Sequence, residues 1–293
     1  MPSRQALANS CSTPGDTSEM AKAFTKYCKL NLYTFEKTSG NSYATRLKTK
    51  LESGPSPMTC TQKSNVYECR GVVTGSSEPV RIYFKSDMKN PTSLSVHFHG
   101  HYSDSEGTKA GSYPFSAANG NYAQMLEQSK SQAILIVPES KGKVLTYKKD
   151  FATAAQWSKW IQGVESRLGL DPKLPMTLSG HSGADAILNS IGSFCAAHTW
   201  DCSRVKSLGL FDANYGELRN GGLVGRDGLK SLVSSTERNQ GTIFIRDTED
   251  VGLTNANKAL VAGVNSSRLN VKTIKTKHMA IMKDGDFSTF LDL

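Results

Sequence analysis

From residue 58 onward, short runs rich in β-branched and aromatic residues alternate with runs whose apolar positions recur every three or four residues. VYECRGVV and VRIYFK flank TGSSEP and predict a β-hairpin. SLSVHFH predicts a third strand, YAQMLEQSKS a helix, and the wholly apolar AILIVPES a fourth strand. FATAAQWSKWIQGVESRL carries helical spacing, PMTLSG predicts a fifth strand, and GADAILNSIGSFCAAH a helix that begins at a tight turn. VKSLGLFD, GTIFIRD and NVKTIKT predict strands six to eight, with helices at NANKALVAGV and near the C-terminus. An antiparallel start followed by strand–helix alternation implies an α/β fold, a mostly parallel eight-stranded sheet flanked by helices. In such sheets the site lies beyond the carboxyl ends of the strands.

Residues 1–57 have a different texture. TSEMAKAFTKYCKL and SYATRLKTKLES predict two short helices joined by FEKTSGN, and GPSP then interrupts regular structure. The expected organisation is an N-terminal helical extension, 1–57, and a main domain, 58–293.

Composition narrows the class. The chain has 293 residues, 38% of them hydrophobic, which suits one large core with a small extension. No apolar run is long enough to span a bilayer. The polar start, MPSRQALANSCSTPGDTSE, lacks the apolar stretch of a signal peptide. Either the chain is cytosolic or a signal was removed before this numbering begins. The six cysteines favour the second option and a secreted or periplasmic location, because Cys60 with Cys69, Cys195 with Cys202, and Cys11 with Cys28 make plausible local pairs. Six reduced, buried cysteines in a cytosolic enzyme are the alternative. The formal net charge of +9 is spread over scattered lysines. No dense basic run and no nucleic-acid motif stands out, so no nucleic-acid partner is expected. A solvated basic surface accounts for the charge. An anionic envelope polymer is the sharper alternative as a partner.

The chemistry concentrates at Gly180-His181-Ser182-Gly183-Ala184, between the fifth strand and a helix. A serine there sits on a strained turn with its hydroxyl exposed, and small neighbours let helix and strand approach. Gly180 and Gly183 meet that need; Ala184 stands where the last glycine of G-x-S-x-G usually falls. A serine hydroxyl needs a base, and His278, after the eighth strand in TKHMAIMKDGDF, is the best placed of six histidines.

The strand order, the elbow after strand five and the late histidine resemble the α/β-hydrolase superfamily over roughly residues 58–293. The resemblance implies a Ser–acid–His order along the chain. Two acids compete for the middle place. Asp250, after strand seven, holds the family's usual position but shares its loop with Asp247 and Glu249. Asp212 directly follows the apolar sixth strand and is preferred. The resemblance also implies oxyanion donors: the N–H of Gly183, and the N–H of His101 in His97-Phe98-His99-Gly100-His101-Tyr102, with Gly100 allowing the turn.

The expected activity is therefore serine hydrolysis of an ester, or an amide, through an acyl-enzyme on Ser182, with no cofactor and no metal. A small-molecule or polymeric acyl substrate is expected, an envelope- or polysaccharide-linked acyl group among them, with the protein a monomer. The segment GELRNGGLVGRDGLKSLVSS, where lipase lids are usually inserted, is short and polar, which suits an open site. Two rival readings stand. His97, His99 and His101 alternate as strand residues do and could gather a metal. This resembles the H-x-H-x-D-H motif of metallo-β-lactamase-type hydrolases, but His101 and Tyr102 replace two of that motif's ligands. A non-catalytic envelope-binding protein on a hydrolase scaffold is the other.

Overall fold

The computed structural model describes residues 42–100, 121–139, 147–214, 227–284 and 286–293. Nine strands form one sheet among the described residues: β1 (Thr59–Lys63), β2 (Val66–Gly71), β3 (Val80–Lys85), β4 (Leu94–Phe98), β5 (Ile134–Pro138), β6 (Met176–His181), β7 (Val205–Phe211), β8 (Thr242–Asp247) and β9 (Leu269–Thr273). Their order is β1-β2-β3-β5-β4-β6-β7-β8-β9. The β1–β2, β2–β3 and β3–β5 pairs are antiparallel, and every later pair is parallel.

The sheet has one strand more than the sequence predicts. β1 reads TCTQK and is mostly exposed, so it carries no apolar alternation to betray it. Backbone pairing with β2 forms it instead, and the Cys60–Cys69 disulfide joins directly opposed residues whose Cα atoms are 4.0 Å apart. The inner strands β4 and β5 are buried at every position, as expected of strands covered on both faces.

Nine helices complete the described chain: α1 (Tyr43–Ser53), α2 (Tyr122–Gln128), α3 (Lys148–Phe151), α4 (Ala154–Leu168), α5 (Asp185–Ala196), α6 (Asp227–Arg238), α7 (Val251–Leu260), α8 (Ile281–Asp284) and α9 (Phe287–Leu291). Two apolar clusters separate the helices into two layers. The larger joins Leu47 and Leu51 of α1, Trp157, Trp160 and Val164 of α4, Ile187, Leu188 and Ile191 of α5, and Leu229 and Leu232 of α6. The smaller joins Tyr122, Met125 and Leu126 of α2 to Ile281, Met282, Phe287, Phe290 and Leu291 of α8 and α9. Helix α1 is thus part of the main core, and the Arg167 guanidinium of α4 donates to the carbonyls of Leu51 and Ser56 just beyond it. Residues 1–41, with Cys11, Cys28 and the first predicted helix, lie outside the described residues.

Local chemistry sets the helix boundaries. Thr153 and Gln156 form a reciprocal capping box that starts α4, and Gly169, at φ 72°, ends it. Helix α7 begins at Val251, four residues before the predicted NANKALVAGV run, because the Asp250 carboxylate accepts from the Leu253 N–H. The segment between the sixth and seventh predicted strands, read as short and polar at the place of a lid, holds α6. Leu229, Leu232, Val233 and Thr236 recur at helical spacing and are buried, so that half of the segment is core rather than lid. Helix α6 crosses α5 very closely: a Cβ on Gly192 would lie 1.8 Å from the Gly228 carbonyl oxygen. Residues 215–226 lie outside the described part.

A second disulfide, Cys195–Cys202, spans the link from α5 to β7. Among the described residues no helix is long and apolar enough to cross a membrane.

Candidate active site

Strand β6 runs through the middle of the sheet and ends at His181. The next residue, Ser182, has φ 55°, a left-handed conformation that costs a non-glycine residue about 1–2 kcal/mol. Tight surroundings hold it there. A Cβ on Gly180 would lie 3.0 Å from Ala184 Cβ and 3.0 Å from Leu188 Cδ1, and a Cβ on Gly100 would lie 2.8 Å from Ser182 Cβ. Glycine at 180 and 100 therefore lets β6, α5 and the end of β4 converge on the serine. Ala184 fills the space over Gly180 that a second glycine would leave open, which explains the departure from G-x-S-x-G. Gly183 lies in the 3-10 turn Ser182–Ala184 that leads into α5, so its N–H belongs to the electropositive start of a helix.

His278 follows β9 in a short 3-10 turn, His278–Ala280. Its Nε2 lies 2.9 Å from Ser182 Oγ, and its Nδ1 hydrogen-bonds Asp212 Oδ2. Asp212 follows β7 directly and is fully buried, with φ 45°. Its backbone N–H donates to the Arg246 carbonyl at 2.7 Å, which extends the β7–β8 pairing by one step. Thr248, just past β8, fixes the carboxylate: its N–H and hydroxyl donate to Oδ1 at 3.0 and 2.9 Å. Burial alone would push the Asp212 carboxyl up. The hydrogen bonds from His278 and from Thr248 outweigh it and hold the group below the usual aspartate range. The stabilisation this supplies is present above the ordinary carboxylate range and is lost as pH falls through the lowered value.

Three residues from three strand ends thus form one hydrogen-bonded line: a hydroxyl, an imidazole and a carboxylate, in the chain order Ser182, Asp212, His278. Ser182 is 7% exposed and the His278 side chain 34% exposed, so one side of the line faces outward. A line of this kind can pass the hydroxyl proton to the imidazole while the carboxylate supports the positive charge.

The other predicted residues fall as follows. Asp250 caps α7 and reaches Leu253 N rather than the histidine. His101, the expected second oxyanion donor, lies outside the described residues. His97 and His99 are fully buried: His97 Nδ1 lies 2.9 Å from Ser179 Oγ, among the rings of Tyr122, Phe211 and Phe287, and His99 Nδ1 donates to the Gly100 carbonyl. Burial drives both below the ordinary histidine range, His99 to about 3. Among the described residues no group of three or more His, Cys, Asp or Glu side chains is arranged to hold a metal ion.

Two features escaped the sequence. Thr248 gave no signal, because a threonine in a loop has no pattern. Asp247, which the sequence places in one loop with Glu249 and Asp250, is instead the last residue of β8 and 1% exposed. Its Oδ1 accepts from Asn257 at 2.6 Å, and Asn257 also contacts Asn214 and the Ala213 carbonyl. This buried polar chain braces the turn that carries Asp212. Burial first, opposed by the Asn257 hydrogen bond and reinforced by the neighbouring Asp212 charge, pushes the Asp247 carboxyl up to about 7. The folded state therefore binds this proton more tightly than the unfolded chain, and stability falls as pH rises from about 4 to about 7. Asp247→Asn, neutral at every pH, is expected to leave stability near pH 4 unchanged and to raise it at about pH 8, by on the order of 2–4 kcal/mol. Urea denaturation at the two pH values checks this; an equal change at both would contradict it.

No family model matches the chain, and no curated protein is found similar to it. Among solved structures the chain is similar to a mutant of the esterase E40 (10% identity over 84% of this chain and 88% of that one, TM-score 0.49). It is also similar to a cold-adapted esterase from an Arctic intertidal metagenomic library (14% identity over 80% and 95%, TM-score 0.49). A third is the enterochelin esterase of Shigella flexneri (13% identity, 79% of this chain and 58% of that one, TM-score 0.49). The strand order, the antiparallel start, the crossover of β4 and β5, and the strained serine turn between β6 and α5 together make this chain an α/β-hydrolase-fold protein.

Proposed function

We propose that the protein is a serine hydrolase that cleaves an ester through an acyl-enzyme on Ser182. The observation that carries this reading is the unbroken line Ser182 Oγ–His278–Asp212, with Nε2 of the histidine 2.9 Å from the hydroxyl.

In the reaction His278 Nε2 takes the Ser182 proton as Oγ attacks the carbonyl carbon. The developing oxyanion is held by the Gly183 N–H, with the His101 N–H as second donor. The imidazolium, supported by Asp212, then gives its proton to the leaving alcohol. Water, deprotonated by the same imidazole, releases the acid and regenerates the hydroxyl. No cofactor enters these steps. An ester is preferred to an amide on the resemblance to α/β-hydrolases. Two disulfides support a secreted or periplasmic setting. There, the +9 charge would suit an acyl group carried on an anionic or polysaccharide envelope polymer.

The test is rapid-mixing hydrolysis of short-chain aryl esters, with and without a strong chelator. The expected result is a burst of aryl alcohol of about one equivalent per protein, unchanged by the chelator. Activity abolished by chelation would overturn the reading in favour of a metal hydrolase.

A further inference from the structure

One buried histidine has no part in the steps above, yet it touches the base on two sides. His181 is 2% exposed and directly precedes the nucleophile. Its ring lies nearly parallel to that of His278, with centroids 4.8 Å apart and planes inclined by 24°. Its Nε2 lies 3.2 Å from the backbone carbonyl oxygen of His278. A carbonyl can only accept, so His181 carries its proton on Nε2.

We propose that His181 is the positioning residue of the base: its ring face sets the tilt of the His278 imidazole, and its Nε2–H fixes the backbone from which that imidazole projects. The inference rests on the reading of Ser182 and His278 given above. Both contacts come from one side chain at the end of β6, the strand that also delivers Ser182. The distance between nucleophile and base is therefore set through a single rigid element rather than through the loop that carries His278. The other side of His181 is also closely bounded: a Cβ on Gly100 would lie 3.3 Å from its Nδ1 and 3.3 Å from its carbonyl oxygen.

The residue type follows from the two contacts. Phenylalanine offers a ring but no donor, and glutamine or asparagine offers a donor but no ring. A lysine or arginine would set a positive charge against the imidazolium formed during the reaction. A neutral imidazole gives a donor and an uncharged aromatic face, and such a face favours a cation lying over it. His181 is held neutral, its titration pushed down to about 3 by burial and then by His278. The remaining ionisable neighbours are consistent with this. Asp212 acts on His181 in the opposite sense without overcoming burial, and His97 and His99, themselves driven neutral, lie within electrostatic reach.

The experiment compares the full chain with His181→Phe, His181→Gln and His181→Ala. It measures kcat, KM, the pH dependence of kcat/KM, the rate of labelling by a fluorophosphonate, and Tm. Loss of the donor in H181F is expected to lower kcat about 10-fold, with KM nearly unchanged. H181Q keeps a donor for the carbonyl and loses the ring; its kcat should also fall about 10-fold, and the acid limb of its pH profile should move about half a unit to lower pH. That limb should stay in place in H181F, where the aromatic face remains. H181A loses both contacts and should lose about 10²-fold in kcat. Labelling rates should fall in the same order. Wild-type kcat and pH profile in both H181F and H181Q would overturn the inference while Ser182 still labels. Losses that follow a lowered Tm equally in all three variants, with no change in any pH profile, would also overturn it, since that is the behaviour of a packing residue. A wild-type protein that neither labels at Ser182 nor turns over ester would overturn the reading of the site, and this inference with it.

Discussion

Asp212→Asn is expected to lower turnover about 10⁴-fold while leaving the fold intact. The direction of the inserted amide makes this outcome specific to the site. Oδ1 of Asp212 accepts from both the N–H and the hydroxyl of Thr248. An asparagine in its place must keep its carbonyl oxygen there, so its NH2 group turns toward His278. Nδ1 of the histidine must then accept instead of donate, and its proton moves to Nε2, the atom that should receive the Ser182 proton. The base is present in the wrong tautomer. Asp250→Asn is the matched control. Asp250 accepts from Leu253 N as a helix cap, a role asparagine fills equally well, so its turnover should stay within about 2-fold of wild type. Steady-state kinetics on the two purified variants checks both statements; equal losses would contradict the assignment of the acid.

Ser182→Ala carries the largest expected loss, about 10⁶-fold in kcat, with the small residual rate coming from oxyanion donors and binding. The same variant should be as stable as the parent or slightly more so. Alanine meets the same left-handed φ of 55° and removes only a hydroxyl, which is 2.9 Å from His278 and makes no contact that the core needs. A thermal melt separates the two effects. Turnover lost together with several degrees of Tm would mean that residue 182 is structural.

Most of the sheet and part of the site were legible in the sequence, for physical reasons that differ from element to element. Strand β5 announces itself because burial on both faces selects its unbroken apolar run, ILIVP. Strand β1 does not, since pairing at an exposed edge makes no demand on side chains. Helix α6 was hidden by the glycine-rich stretch before it, although Leu229, Leu232 and Val233 follow helical spacing. Gly180 and Ser182 are readable because a tight strand-to-helix turn tolerates few residues. The meeting of Asp212 with His278 is not readable. It depends on β7, β8 and β9 being adjacent and in parallel register, and on Thr248, just past the end of β8, reaching across to the end of β7. For the same reason the role of Asp247 is not readable: its neighbour in space, Asn257, lies 10 residues further along the chain, within α7.

The bracing of the acid has a consequence for pH. The chain Asp247–Asn257–Asn214 holds the turn on which Asp212 sits, and its carboxyl ionises at a cost in stability. Pairing a carboxylate held low with a neighbour held high keeps one negative charge, not two, beneath the imidazole at moderately acidic pH.

The most direct measurement is peptide mapping by mass spectrometry after treating the folded protein with a fluorophosphonate. One adduct per chain, on the peptide containing Ser182 and absent from Ser182→Ala, is the predicted result. A protein that stays unmodified, or an adduct that persists in Ser182→Ala, would contradict the assignment of Ser182 as an activated nucleophile.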